Sequence, residues 1–477
     1  MNIVYFHAIF EIIMIVHYRY GGHDIVKNQE KERVKDMTTG NPGGLIFAFS
    51  VPLIMGNIFQ QLYTVTDTAI VGKSLGVQAL AALGSVDWFN WMILGVVQGF
   101  AQGFSILVAQ YFGASDYRKL RKSIANSIIL AIFSSLLIVL LAELSVNPGI
   151  KMLKVPAEIS PMSRTYLRIM FCGAPILMAY NMAASILRSL GDSKTPLLAM
   201  VAASFLNIAL DILFVVYFRW GVAGAAYATL MAQMLSSVCC IMKLRMIEVI
   251  RLSRSDLELE MSLCKKLLLL GLPMVFQNVI ISIGGMVVQM VVDGFGVVFI
   301  AGITATNKLY GVLEVAAVSY GYAMVTYAGQ NYGAGKKKRI SQGMVCALAI
   351  AMVTSLVITG LMFAFGRNLL SLFISASPEI EEQALDIAFR YLKYMSAFLP
   401  ILYVLHVTRS CIQGMGNTVI PMLSGVAEFV VRTASSFLLP VLLGEEGIMF
   451  AEICAWTGAD FVLVPGYFLT LNKGTIE

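Results

Sequence analysis

The stretch VAQYFGAS, residues 108–115, returns 220 residues later inside YAGQNYGAG, residues 327–335. Gln110 falls on Gln330, Gly113 on Gly333 and Ala114 on Ala334. At the same shift LGVQALAALG (75–84) meets FGVVFIAGIT (295–304), and one residue of slip brings Pro52 onto Pro273. LGDSKTP (190–196) meets MGNTVIP (415–421) at a shift of 225. The chain reads as two copies of one unit.

The composition says what kind of unit. Of 477 residues, 58% are hydrophobic and 13% charged, and mean hydropathy is +0.79; a soluble domain is about one quarter charged. Apolar runs of about 20 residues recur, each long enough to cross a hydrocarbon core of ~30 Å as a helix. Hydropathy and helix breakers predict twelve spans, near 45–70, 79–108, 121–142, 164–190, 196–218, 221–246, 264–292, 299–330, 340–364, 384–413, 419–443 and 447–471. Six spans separate the copies, so both have the same orientation and are related by a pseudo-two-fold axis along the membrane normal. The expected fold is an all-α integral membrane protein of twelve transmembrane helices in two parallel six-helix lobes, 41–250 and 267–477.

Basic residues sort by side. Lys27, Lys31, Arg33 and Lys35 precede the first span, and Arg118, Lys119, Arg121, Lys122, Lys194, Lys243, Arg245, Lys265, Lys266 and Lys336 to Arg339 follow even-numbered ones. The positive-inside rule then places both termini and the hydrophilic 251–266 linker in the cytoplasm, with the protein in the plasma membrane. The net charge of +6 lies in loops and suits topology rather than nucleic-acid binding. Residues 1–40 stand outside the repeat: IVYFHAIFEIIMIV is short for a span and contains Glu11, and Met37 is a plausible start, so 1–40 is expected to be a non-essential extension. The seven cysteines form no CxxC pair and read as packing residues.

Ionisable groups inside apolar spans are costly and mark ion or substrate pathways. Asn207 and Asp211, four residues apart, share one face of the fifth span; Gln60, Thr64 and Asp67 make a polar stripe on the first. Two carboxylates and an amide in an apolar bundle can hold a proton between the acids or offer hard oxygen ligands to a small cation such as Na⁺. A buried hydrogen-bonded network closing the lobe is the competing reading. Pro52 and Pro273 favour helix bends. Glu428 and Arg432, at i, i+4, read as a structural ion pair. Glu314, Glu452 and Asp460 have no partner evident from sequence, and each could line the cavity or pair with Arg432. His406 reads as a hydrogen-bonded interior histidine that could instead sense pH.

PLIMGNIFQQLYTVTDTAIVG (Pro52 to Gly72), LGVQALAALG, GQNYGAG and RSLGDSKTP (Arg188 to Pro196), in this order, resemble the multidrug and toxic compound extrusion (MATE) family over about residues 38–472. The resemblance implies a V-shaped pair of six-helix lobes around a central cavity. It also implies export of amphipathic, often cationic, small molecules in exchange for Na⁺ or H⁺. In one branch of that family an amino-lobe cation site matches Asp67, Asn207, Asp211 and Thr229. Another branch places acids on the seventh and tenth helices. Here the seventh has Gln277, Asn278 and Gln289, and the tenth has His406 and Arg409, which argues against a second site of that kind. Gln60, Thr64, Gln277, Asn278 and His406 are the cavity candidates, with Pro52 as the helix-bend candidate.

A monomeric transporter with no cofactor beyond its coupling ion is therefore expected. GAGKKKR lacks the spacing of a nucleotide-binding loop, and no nucleophile–base arrangement points to an enzyme. The alternative is a flippase for lipid-linked oligosaccharides or peptidoglycan precursors. That would call for an Arg/Lys-lined cavity to hold pyrophosphate.

Overall fold

The computed structural model describes residues 35–153, 155–374 and 378–472. The stretch IVYFHAIFEIIMIV lies outside them. The first copy comprises α1 (Pro42–Leu75), α2 (Val77–Gly84), α3 (Asp87–Gly113), α4 (Tyr117–Met152), α5 (Ser160–Cys172), α6 (Ala174–Ser189), α7 (Lys194–Asp211) and α8 (Val222–Arg245). The second comprises α9 (Met261–Val292), α10 (Val297–Gly333), α11 (Lys337–Leu370), α12 (Pro378–Ala397), α13 (Leu399–Gly414), α14 (Val419–Leu443), α15 (Glu445–Met449) and α16 (Ala451–Asn472). Among the described residues ten helices are long and apolar enough to cross a membrane, and two bent pairs raise the number to twelve.

The bent pairs refine the expected spans. α5 and α6 meet at 47°, α12 and α13 at 48°. Pro175 and Pro400 sit in the first turn of α6 and α13, where their missing N–H costs the new helix nothing but ends the previous one. The two prolines are 225 residues apart, so the bends are themselves repeated. α1 and α9, by contrast, continue as single helices through Pro52 and Pro273. The face of α4 carrying Ile132, Leu136, Leu140 and Leu144 is exposed at helical spacing, as a hydrocarbon-facing surface requires.

Packing repeats with the sequence. α7 lies on α1 and α8, and α3 on α6; in the second copy α14 lies on α9 and α16, and α10 on α13. Between lobes the first span of each copy packs on the second span of the other, α1 on α10 and α9 on α3.

The opening motif sits where the lobes cross. Gln110 Nε2 donates to the Gly414 carbonyl at 3.0 Å, and Gln330 Nε2 to the Ser189 carbonyl at 2.9 Å. Each bond runs from one lobe to the end of a helix in the other. Glycine is required beside them: a Cβ on Gly113 would lie 1.9 Å from the Gln330 carbonyl oxygen, and one on Gly333 1.8 Å from that of Gln110. The repeat is visible in sequence because this crossing tolerates so few residues.

Two boundaries differ from expectation. Asp36 to Gly40 belong to the body, not to an extension. Met37 is buried; its N–H donates to Gln330 Oε1 at 2.8 Å, and its carbonyl accepts from Asn331 Nδ2 at 3.1 Å. Lys336 and Arg339 bind the carbonyls of Thr38 and Gly40. The linker is shorter than 251–266, because Met261–Lys266 already form the first turns of α9. Its preceding residues are clamped to α4: Asn126 Oδ1 accepts from Glu260 N at 3.0 Å, and Arg121 faces Asp256 at 3.5 Å.

Candidate functional site

Along α1 the hydroxyls of Thr64, Thr66 and Thr68 donate to carbonyls four residues back, at 2.9, 2.9 and 2.8 Å. Of the stripe predicted from Gln60, Thr64 and Asp67, the Thr64 hydroxyl is thus satisfied within its own helix. Asp67 is not: its Oδ1 is sealed from solvent without a hydrogen-bond partner. On α7, Asn207 and Asp211 are fully buried, and the Nδ2 and Oδ1 of Asn207 and both carboxylate oxygens of Asp211 also lack partners. α1 packs on α7, which brings the two carboxyl groups within interaction range of one another. Two acceptors meet there with no donor between them. Buried polar groups in native proteins are nearly always paired, and unpaired charge in an apolar interior costs several kcal/mol. A proton or a small cation would resolve the arrangement.

Thr229 joins Asn207 rather than the carboxylates. Together with Tyr63, Gln233 and Ser236 they line a cavity of about 10 Å³, room for about one water or a small ion. Carboxylate, amide and hydroxyl oxygens are hard ligands, suited to Na⁺. Three further features were missed in sequence. Gln233, one turn beyond Thr229, has a sealed Oε1 without a partner; its spacing could have flagged it. Tyr166 of α5 lies within Coulomb range of both Asp67 and Asp211 and left no signal. Immediately after Asp211 the backbone widens into a π-helix, Ile212–Tyr217, a rare form concentrated at functional positions.

The carboxy-terminal lobe is built differently. Arg409 Nη2 donates to Glu428 Oε2 at 2.7 Å; Arg432 Nη2 donates to Glu428 Oε1 and to Glu452 Oε2, both at 2.8 Å. The expected Glu428–Arg432 pair is therefore the middle of a four-residue chain running from α13 through α14 to α16. Of the two roles the sequence left open for Glu452, lining the cavity or pairing with Arg432, the structure shows the pair. His406 Nε2 faces Glu314 Oε1 at 3.3 Å. Gln277 is buried, its Oε1 accepting from Gln413 Nε2 at 3.3 Å. Asn278 binds across the lobes, donating to the Gly95 carbonyl at 2.8 Å. Trp456 is buried and stacks on Tyr310, with ring centroids 6.0 Å apart.

Comparison with known proteins bears on both lobes. A family model described as MatE matches residues 52–213 and 273–438, each segment starting on one of the repeat-equivalent prolines. A probable multidrug resistance protein, YpnP of Bacillus subtilis (strain 168), is 30% identical over 427 residues, 87% of this chain and 92% of that protein. Multidrug export protein MepA of Staphylococcus saprophyticus is 21% identical over 432 residues, 90% of this chain and 94% of its own. A solved multidrug resistance MATE family transporter in an outward-facing conformation superposes with a TM-score of 0.85 at 23% identity, covering 94% of this chain and 100% of that one. That last likeness is one of fold. By the family match over both copies and the similarity to YpnP, this chain belongs to the MatE family of multidrug efflux transporters.

Proposed function

We propose that the protein is a secondary antiporter that exports amphipathic, often cationic, compounds in exchange for Na⁺ or H⁺ by alternating access. Asp67, Asn207, Asp211 and Thr229 carry the coupling. The observation behind this reading is the buried, donor-free meeting of Asp67 and Asp211 beside the unpartnered amide of Asn207. A bound cation or proton neutralises the carboxylates and favours one arrangement of α1 on α7. A cationic substrate favours the arrangement in which the acids are free. Coupling is then a difference in affinity between two conformations, and each ligand opposes the other.

The clustering of basic residues in loops on one side supports cytoplasmic termini; the proposal is a plasma-membrane transporter acting as a monomer. A flippase would need uncompensated cations for pyrophosphate. Arg409 and Arg432 are instead held by Glu428 and Glu452, so neither supplies one.

The test is efflux of cationic dyes from proteoliposomes under imposed Na⁺ or pH gradients. Wild type should respond to one of them, and Asp67→Asn and Asp211→Asn, which keep volume and remove the titrating charge, should not. Gradient-independent movement in the wild type would remove antiport from consideration.

A further inference from the structure

The fifth span of each copy carries a polar side chain at the same depth. Asn207 lies eleven residues beyond Pro196, and Arg432 eleven beyond Pro421. Both are buried, but their surroundings differ. Asn207 and Asp211 leave every side-chain polar atom without a partner. Around Arg432, Glu428 and Glu452 each approach Nη2 at 2.8 Å, and the Ile281 carbonyl faces Nη1 at 3.4 Å. Two carboxylates and a main-chain carbonyl around one positive centre make the oxygen set of a small hard cation.

We propose that Arg432 is a built-in cation: its guanidinium permanently fills a latent monovalent-cation site formed by Glu428 and Glu452. In the amino-terminal lobe the corresponding place is left for an exchangeable ion. The comparison with that lobe rests on the coupling role proposed above. The latent site itself rests only on the Arg432 geometry. Such a device explains why Asp67 and Asp211 have carboxylate oxygens without donors while Glu428 and Glu452 are both paired; Asp460 Oδ1 is the unpartnered acid oxygen of the second copy. It also limits exchange to a single lobe, because a covalently held charge cannot be released. Arg409 and His406 from α13, Asp460 from α16, Glu314 and Tyr310 from α10 and Tyr391 from α12 are the other titratable groups around the chain of charges, and they stay in place when Arg432 alone is changed.

The test replaces the fixed charge by the residue of the other lobe. Arg432→Asn leaves two carboxylates and an amide, the donor types of Asp67, Asp211 and Asn207. It is made in an Asp211→Asn background, so that the amino-terminal lobe no longer contributes a carboxylate pair. The purified double variant is melted in NaCl, in N-methylglucamine chloride and at stepwise lower pH. Its Tm should rise by roughly 5 °C or more with Na⁺ or acid, where Asp211→Asn alone shows no such rise. A double variant no more responsive than Asp211→Asn alone overturns the proposal. Should Arg432→Asn fail to accumulate, Arg432→Met with Glu452→Gln, which keeps the Arg409–Glu428 pair, should restore folding, now without response to Na⁺ or acid. Normal accumulation of Arg432→Met with both acids intact, and unresponsive to cations, would equally overturn it. If Asp211→Asn keeps the full cation response of the wild type, the amino-lobe reading fails, while the effect of Arg432→Asn is still read against its own parent.

Discussion

Gly113→Ala should separate the lobes at their crossing. The new methyl group would stand 1.9 Å from the Gln330 carbonyl oxygen, about 1.5 Å short of ordinary van der Waals contact at ~3.5 Å. That oxygen belongs to helix backbone and cannot rotate aside, so α3 and α10 must part. The interlobe bonds of Gln110 and Gln330, now 3.0 and 2.9 Å, would both be lost. Two lost hydrogen bonds at ~1 kcal/mol each and ~1–3 kcal/mol of overpacking give roughly 3–5 kcal/mol against the joined state. A bias of that size shifts a two-state equilibrium at least ~100-fold. Spin labels at the exposed, repeat-equivalent positions Arg118 and Lys338 would read it as a new long-distance population, with efflux reduced. Gly84→Ala, which meets open space, is the control and should be silent. A Gly113→Ala protein with wild-type distances and wild-type efflux would refute the crossing as the lobe junction.

Glu428→Gln should lower abundance by leaving Arg409 without its carboxylate partner, a loss of ~3–5 kcal/mol for a broken buried pair; Arg432 keeps Glu452. Adding Arg409→Met should restore abundance, and failure to do so would sink the charge-chain account. Removing residues 1–35 should leave dye efflux intact, whereas removal through residue 40 should reduce folded yield several-fold, because Met37 is buried against Gln330 and Asn331; equal yields would contradict that anchoring. Asp256, held below the usual carboxylate range by hydrogen bonds from Ser253, should contribute linker stability at neutral pH that fades only as pH falls through its lowered folded value, under the ~3.9 of a free aspartate. Asp256→Ala should cost about 1 kcal/mol at pH 7, as for a lost helix cap, and nothing in strong acid; a pH-independent difference in Tm would be inconsistent with this.

The spans and their repeat were legible because hydropathy averages over a whole helix and because the crossing at Gln110, Gly113, Gln330 and Gly333 admits few substitutes. The bends before Pro175 and Pro400 were not, since a proline inside an apolar run barely changes its hydropathy. Asp67 and Asp211 stood out as acids in hydrocarbon, and Thr229 came only through family resemblance. The Glu428–Arg432 link was legible from its i, i+4 spacing, but the Arg409–Glu428 link escaped notice because the two residues lie about 20 positions apart on different helices, beyond any local periodicity. The anchoring of Met37 escaped for a similar reason: it runs through main-chain groups to residues nearly 300 positions away, and backbone atoms carry no sequence signature.

The central claim is that Asp67 and Asp211 bind the ion that opposes the exported compound. The most direct measurement is the affinity of a fluorescent cationic dye for the purified protein as Na⁺ is added at constant ionic strength, and as pH is lowered. The account predicts that dye affinity falls with one of these cations in the wild type and does not change with either in Asp67→Asn or Asp211→Asn, with both variants folded. Dye affinity indifferent to Na⁺ and pH in the wild type, or an undiminished response in both variants, would contradict it.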